Sequence, residues 1–169
     1  MSMYNIKEQG GRRPIDYFIF IDYSEFLVGY IIVEKEKIAE LIRRISKLHH
    51  YKDIKNKKAY IQSVKKVFEK NAIMDFVLRH KIVDMRNNLI VFSDVIDFVS
   101  RNKHCLIFAS IDNNQFIAFT KLLMAGEHTS HVKVIKESDL KKGSVEYRLS
   151  LIIDTKLNIE RVSKQTRQA

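Results

Sequence analysis

Three aspartates of this 169-residue chain stand at the ends of apolar segments that the sequence predicts to be β-strands. Asp22, Asp112 and Asp154 each close such a segment. In α/β folds the strand ends carry reactive groups, and grouped carboxylates are the ligands of hard cations such as Mg²⁺. One hypothesis is therefore a metal-dependent nuclease that uses these three residues, with Mg²⁺ as its cofactor.

The start of the chain resembles that of RNase-H-like metal nucleases. That fold begins with a hairpin whose first strand carries such an aspartate, and some uncharacterised members follow it with a Glu-Ser pair, to which Asp22-Tyr-Ser-Glu25 is loosely similar. The third strand of that fold, before the first long helix, has no evident counterpart. An aspartate between a strand and a helix is also an ordinary helix cap, as Asp112 before Asn113 would be, and we favour this structural interpretation.

Other catalytic signatures are absent from the sequence. It has no glycine-rich phosphate loop, no Ser-centred nucleophile elbow and no paired cysteines. The single cysteine, Cys105, lies in an apolar run and is expected to be buried and unreactive. His128 and His131 are expected to be surface residues. We therefore predict a cytoplasmic protein without a resident cofactor, signal peptide or membrane span, and we favour a binding module over an enzyme.

Positive charge is concentrated in one part of the chain. The net charge is +10, and residues 35–70 hold twelve Lys or Arg against four Asp or Glu, a local surplus of eight. Apolar residues at helical spacing predict two amphipathic helices here, each with a basic outer face. The cations expected to bind phosphates are Arg43, Arg44, Lys47, Lys57, Lys58, Lys65 and Lys66. A polyanion, RNA above all, is the natural partner, although such faces are also common as solvating surface.

The remaining elements are predicted from apolar periodicity and turn residues. Two apolar runs, 16–22 and 26–33, predict an antiparallel hairpin. The expected elements after the basic helices are a short helix over 73–80, a strand over 89–92, a helix over 94–101 capped by Ser93, a strand over 105–112, a helix over 113–124, and strands over 131–135 and 148–154. Residues 1–14 are expected to form a flexible basic arm and residues 163–169 a frayed tail.

The order of elements from residue 88 onward resembles the L-seven-Ae and L-thirty-e ribosomal-protein family, which binds kink-turn RNA. The residues that carry this resemblance are Ser93–Lys103, the strand to Asp112, the following helix and strand, Glu137–Leu140, Gly143 and Leu149–Asp154. The resemblance implies an α/β/α fold. The family's Gly-Thr-Asn-Glu run at its first recognition helix corresponds here to Val91–Asp94, and its acidic residue after the second strand's alanine corresponds to Ser110.

These departures move the expected RNA contacts to other residues. Phe92 is a candidate for base stacking or for the core, and Ser93 and Asp94 are candidates for hydrogen bonds at a helix start. Lys103 and Arg148 are further candidate contacts.

We predict a single α/β domain over residues 15–162, with a three-layer α/β/α core over 56–162 and a hairpin-helix extension over 15–50. The first functional hypothesis is a non-catalytic RNA-binding or ribonucleoprotein-associated module that uses the basic helical face. The second is the metal-dependent nuclease. The third is a protein-interaction module or homodimer in which the hairpin supplies a sheet edge to its partner.

Overall fold

The computed structural model describes residues 14–129 and 132–168, so the predicted arm lies, except for its last residue, outside the described residues. The strands are β1 (Tyr17–Ser24), β2 (Leu27–Glu34), β3 (Arg79–Asp84), β4 (Cys105–Ser110) and β5 (Lys133–Lys136). The α-helices are α1 (Ile38–Arg44), α2 (Lys57–Lys70), α3 (Asn88–Arg101), α4 (Asn113–Ala125) and α5 (Val145–Gln168). Within these ranges no helix is both long enough and apolar enough to cross a membrane.

The strands form one mixed sheet with the order β3-β2-β1-β4-β5. β1 pairs antiparallel with β2 and parallel with β4, while β3 and β5 occupy the two edges. The predicted hairpin is confirmed, but it lies in the middle of the sheet and is not an extension of a separate core. Since β1 and β2 are inner strands, their hairpin cannot offer a free edge to a partner.

Alternate residues of the inner strands face two hydrophobic clusters. Phe20 and Phe108 point to the side covered by α1, α2 and α5, and their rings stack with centroids 5.0 Å apart. Ile19 and Ile107 point to the side covered by α3 and α4. The layers are therefore helices, sheet and helices, which confirms the predicted three-layer α/β/α class.

The prediction of a strand over 89–92 and of a cap at Ser93 is wrong. Helix α3 begins at Asn88, so the segment is its first turn and Ser93 lies inside the helix. Val91, Phe92 and Val95 are buried in the sheet-facing side of α3. The spacing i, i+1 and i+4 is typical of the buried face of an amphipathic helix. The four consecutive apolar residues over 89–92 conceal this helical period in the sequence.

The prediction of a strand over 148–154 is also wrong, because these residues form the second and third turns of α5. Leu149, Leu151, Ile152 and Ile153 are all buried. A helix that is buried on several sides lacks an alternating polar face, so a short apolar window within it reads like a core strand. The helix continues to Gln168, through the segment for which the sequence predicts a frayed tail.

The third strand of the sheet follows the two basic helices. The prediction of a helix over 73–80 is wrong in its second half, because only Ile73–Phe76 form a 3₁₀ turn and β3 begins at Arg79. Thus β1, β2 and β3 all precede α3, but α1 and α2 are inserted between the second and third strands, and α2 is as long as α3. The resemblance to the kink-turn family remains a prediction. Two of the strands that it includes, over 89–92 and 148–154, are helical in the structure.

Gly29 in β2 provides a test of the packing between the sheet and α5. A Cβ at this position would lie 2.8 Å from the Lys81 carbonyl oxygen of β3 and 3.2 Å from Cδ1 of Ile153 in α5. Backbone cannot retreat as a flexible side chain does, so we expect Gly29→Ala to lower the free energy of unfolding by about 1–3 kcal/mol. Urea denaturation measures this change, and an unchanged midpoint would contradict the close packing described here.

Candidate active site

The sheet and α5 bring two of the three predicted aspartates together. Asp22 lies near the end of β1, and its Cα partner in the adjacent parallel strand is Ser110 of β4. By strand alternation both residues share the face of Phe20 and Phe108, which is the face that α5 covers. Asp154 lies on α5, and its charge raises the pKa of Asp22. Asp22 therefore lies within the influence of the charge of Asp154, although the segment that carries Asp154 is a helix and not the predicted strand.

Asp22 is almost completely withdrawn from solvent, at 5% exposure. Burial, followed by the charges of Asp154 and Glu137, raises its pKa well above the ordinary value of 3.8. Two hydrogen-bond donors act against this rise in pKa, but their effect is smaller. The Tyr23 amide donates to Oδ1 at 2.7 Å, and the Ser110 hydroxyl lies beside the carboxylate. A carboxylate held this way favours either a proton or a cation near it.

Asp154 is 6% exposed, and burial raises its pKa too. The charge of Glu137 acts in the same direction, whereas the Tyr51 amide, His50 and Lys52 act against it. Oδ2 of Asp154 accepts the Tyr51 amide hydrogen bond at 3.0 Å. The residues that counter the charge of Asp154 thus come from one segment, the connector between α1 and α2.

Glu137 is a member of this site that sequence reasoning missed. It follows β5 directly and lines the same crevice as Asp22, Ser110 and Ser150. The Ser150 hydroxyl donates to its Oε1 at 3.2 Å. Its signal in the sequence is the one used for the aspartates, an acid directly after an apolar strand. Among the described residues no group of three His, Cys, Asp or Glu side chains is close enough to form a ready-made metal site.

Asp112 does not join the pair. Its carboxylate accepts the Gln115 amide at 2.9 Å and thereby caps α4. The side chain is exposed, and it does not line the crevice of Asp22 and Glu137. The structural interpretation of this residue is confirmed, because an aspartate before the first turn of a helix satisfies an otherwise unpaired amide.

The connector (residues 45–56) lies across Asp154. Its central residue Tyr51 begins a 3₁₀ turn that ends at Asp53, and Asn56 caps α2 through the Ala59 amide. The Tyr60 hydroxyl of α2 accepts from the His49 amide at 2.9 Å and donates to the His49 carbonyl at 3.0 Å. This cationic segment is therefore positioned beside Asp154.

A buried arginine supports the far side of the connector. Arg161 of α5 lies two turns after Asp154 and is 7% exposed. Its Nε donates to Ser24 Oγ at 3.0 Å and its Nη2 donates to Asn158 Oδ1 at 3.0 Å. The guanidinium carbon is 5.3 Å from the centroid of the Tyr51 ring. Arg161 thereby links the end of β1, helix α5 and the connector.

The predicted basic face divides into paired and unpaired cations. Arg43 and Arg44 both pair with Glu40 on α1, and Arg44 also donates to the Asn71 carbonyl. Within residues 14–129 and 132–168 none of the other cations of this face makes an ion pair, and these are Lys47, Lys57, Lys58, Lys65 and Lys66. All but the half-exposed Lys65 are exposed. The unpaired charge therefore lies mainly on α2.

The expected contacts around Phe92 are not arranged as an RNA site. Phe92 is 1% exposed and packs against Phe119 in the core, so its ring cannot stack on a base. Asp94 pairs with Lys81 at 2.6 Å and accepts the Tyr30 hydroxyl. Phe92 and Asp94 lie inside α3. They are therefore not at a helix start, where free backbone amides could bind RNA. Ser93 remains exposed on the same helix.

Lys103 and Arg148 lie in different surroundings. Lys103 is an exposed loop residue before β4. Arg148 is half-buried and donates to the Ile42 carbonyl at 3.1 Å, so it joins α5 to α1. Its guanidinium already has a structural role.

The remaining candidates contribute little chemistry. Burial raises the pKa of the Cys105 thiol to about 12, which agrees with its expected inertness. His128 is exposed, and His131 lies outside the described residues.

Comparisons with known proteins do not place the chain in a family. No protein-family model and no curated protein sequence matches it. Among solved structures, a chain in the PCNA:RNase HII complex from Archaeoglobus fulgidus is similar with a TM-score of 0.49 and 12% identity, covering 90% of this chain and 74% of that chain. A similarity at this level establishes neither a common fold nor a common function.

The buried pair makes stability depend on pH. Because the pKa of Asp22 is raised in the folded state, the folded protein binds more protons than the unfolded chain as pH rises above 3.8, and stability falls through that window. We expect Asp22→Asn, measured in EDTA by urea denaturation, to exceed the wild type in stability at pH 8 by at least about 1 kcal/mol. The gain should shrink toward pH 4.

Asp112→Asn is the matched control, since it removes one negative charge at an exposed cap that asparagine also fulfils. A stability difference for Asp22→Asn that does not change with pH, or that equals the control, would contradict the raised pKa of Asp22.

Proposed function

We propose that the protein is a metal-dependent nuclease whose site is centred on Asp22 and Asp154. The observation that carries the proposal is the burial of two carboxylates whose charges repel, with Glu137 adding to that repulsion. Ion pairs that would neutralise them are lacking among the described residues. Such an arrangement costs stability, and a divalent cation relieves it.

The donor set suits a hard cation. Asp22 and Asp154 offer carboxylate oxygens, and the neighbouring Ser110, Ser150 and Glu137 add only oxygen atoms. Oxygen donors are what Mg²⁺ and Mn²⁺ prefer, and Mg²⁺ commonly uses one or two carboxylates together with water and substrate phosphates. The two aspartates would hold the cation, which would supply Lewis-acid stabilisation of charge on a phosphodiester oxygen.

The proposed substrate class rests on the cations of the connector and of α2. The connector carries Lys52 and Lys55, and α2 adds the exposed lysines of its outer face. Phosphate neutralisation by lysine provides affinity without sequence selectivity, so we propose a nucleic acid bound mainly through its backbone. The hairpin with Asp22 on its first strand is the feature for which the sequence resembles RNase-H-like nucleases.

Cleavage assays test the proposal. With labelled single- and double-stranded DNA and RNA and either Mg²⁺ or Mn²⁺, the wild type should cut at least one substrate, and EDTA should stop it. Asp22→Asn and Asp154→Asn should each reduce the rate at least about 100-fold, because each removes a charged oxygen ligand.

Asp112→Asn again serves as the control, since the sequence hypothesis includes Asp112 and the structure places it outside the crevice. It should retain wild-type cleavage. Equal losses at Asp112 and Asp22, or cleavage that survives in both pair variants, would overturn the proposed site.

A second candidate function is a non-catalytic RNA-binding module that uses the lysines of α2. The specific observation in its favour is that these lysines make no ion pair with the described residues, unlike Arg43 and Arg44. We expect replacement of Lys57, Lys58, Lys65 and Lys66 by Ala to weaken binding to structured RNA. The dependence of log K on log salt should flatten by roughly 0.7–0.9 for each phosphate that a lysine no longer neutralises.

Arg43→Ala is the comparison for this experiment, because Arg43 is already paired with Glu40. Its effect should be small, and circular dichroism should confirm that both variants remain folded. RNA affinity that does not change in the four-lysine variant would refute the basic-face interpretation. Binding without cleavage of any substrate would favour the second candidate over the first.

A further inference from the structure

Strand β3 forms one edge of the sheet, and in the described part of the chain no strand pairs with its outer side. Its pairing with β2 continues one step beyond each end of the strand. The Leu78 amide donates to the Ile32 carbonyl at 2.9 Å, and the Met85 amide donates to the Phe26 carbonyl at 2.7 Å. An unpaired edge of this length is a template for a further strand.

The backbone groups that this edge offers follow from the register. The hydrogen bond from Met85 to Phe26 has the same register as the β2–β3 ladder. Bonded and non-bonded positions alternate along an antiparallel pair, so every second residue before Met85 also bonds to β2. The residues between them, His80, Ile82 and Asp84, therefore direct their N–H and C=O groups away from the sheet.

The neighbouring helices leave this edge accessible. Helix α5 packs mainly on β1 and β2, and α3 packs on β2 and β3 from the other face. Arg79 and His80 are exposed and Lys81–Asp84 are half-buried, whereas every residue of β2 except Glu34 is buried. The outer side of β3 is therefore open to a partner.

Three lysines beside this edge are already paired within the chain, so they repel an approaching strand only weakly. The pairs are Lys81 with Asp94 at 2.6 Å, Lys156 with Glu160 at 3.4 Å, and Lys164 with Asp84 at 3.5 Å. Arg79 lies against the ring of Phe98 on the α3 side. The edge thus differs from one that unpaired lysines protect against strand addition.

Two copies of β3 are complementary to each other in one register. Antiparallel pairing about a two-fold axis at Ile82 places His80 of each copy opposite Asp84 of the partner subunit. An imidazole donates an N–H to a carboxylate whether or not it is protonated. A shift by two residues, the smallest that keeps the same backbone groups facing, places Lys81 opposite itself or His80 opposite Arg86. Like charges directly opposite each other destabilise a strand pair, which selects the first register.

The other edge of the sheet lacks this property. Strand β5 is four residues long, and antiparallel pairing about its centre places Lys133 opposite Lys136 of the partner subunit. Self-association through β5 is therefore disfavoured by charge.

We propose that the protein forms a symmetric dimer in which β3 of one copy pairs antiparallel with β3 of the other, so that the two sheets become one. The three opposed pairs formed by residues 80, 82 and 84 supply about six backbone hydrogen bonds between the copies. The inference goes beyond the proposed function and does not rest on it, because β3 carries neither Asp22 nor Asp154.

Sedimentation equilibrium over a concentration series gives the first measurement. One strand from each copy makes a small interface, so we expect a dissociation constant on the order of 10 µM. A chain that is still monomeric at about 100 µM would overturn the proposal.

Charge reversal tests the register. Asp84→Lys should weaken dimerisation at least about tenfold, because the symmetry removes both pairs with His80 at once. The double variant His80→Asp/Asp84→Lys should bring the dissociation constant back to within about threefold of the wild type, since it exchanges the two partners.

Asp139→Lys is the matched control, because it makes the same charge change at an exposed acid just after β5. It should dimerise as the wild type does, and thermal unfolding should confirm that all variants fold. Equal weakening by Asp139→Lys and Asp84→Lys, or a double variant as weak as Asp84→Lys, would contradict the register.

Two substitutions of His80 separate the backbone from the side chain. His80→Pro removes an N–H that points away from β2, a position at which edge strands accept proline, whereas His80→Ala keeps this N–H. The proline variant should dimerise at least about tenfold more weakly than the alanine variant, because the symmetry removes two hydrogen bonds. Equal dissociation constants would overturn pairing through the backbone.

Amide hydrogen exchange of the wild type locates the interface without any substitution. Exchange at His80, Ile82 and Asp84 should slow as protein concentration rises, whereas Lys81 and Val83, which bond to β2, should exchange slowly at every concentration. A dimer in which the first three amides stay fast uses another surface, and that result would refute the proposal.

Discussion

The packing of α5 against the inner strands of the sheet determines the rest of the molecule's chemistry. Leu149, Ile152 and Leu157 are fully buried on this helix, and Ile153 contacts the sheet where Gly29 lacks a side chain. Burial of several such side chains, each worth about 1.5–3 kcal/mol, fixes the rotation of α5 about its own axis. That rotation brings the charge of Asp154 close enough to raise the pKa of Asp22, so apolar packing supplies the free energy that holds two like charges near each other.

The same packing explains why the surroundings of the pair are built as they are. Desolvation penalises both carboxylates, and the protein counters it only with weak partners: the amides of Tyr23 and Tyr51, and the more distant charges of His50 and Lys52. Arg161 is buried nearby, but it is bound to Ser24 and Asn158 and does not neutralise the pair. The charge of the site is therefore left for a proton or an external cation, whereas the cations of α2 remain available to a polyanion.

Several features could be predicted from local pattern. The hairpin of β1 and β2, strand β4 and helix α4 have periods and turn residues that are unambiguous over short windows, and Asp112 was recognisable as a helix cap. The segments over 89–92 and 148–154 were misassigned for one reason. Each is a run of buried apolar residues inside a helix, and its pattern does not distinguish helix from strand until the neighbouring element is known.

Composition and local spacing are enough to predict an α/β class, the excess of positive charge over residues 35–70 and the presence of acids beside apolar segments. Which of the acids come near one another depends on long-range packing. Asp22 and Asp154 are 132 positions apart in the chain, and the register of β1 with β4 and the rotation of α5 bring them together while Asp112 is left at a helix end. The partnership of Glu137 and the position of the connector over Asp154 depend on the same long-range packing, which no local pattern encodes.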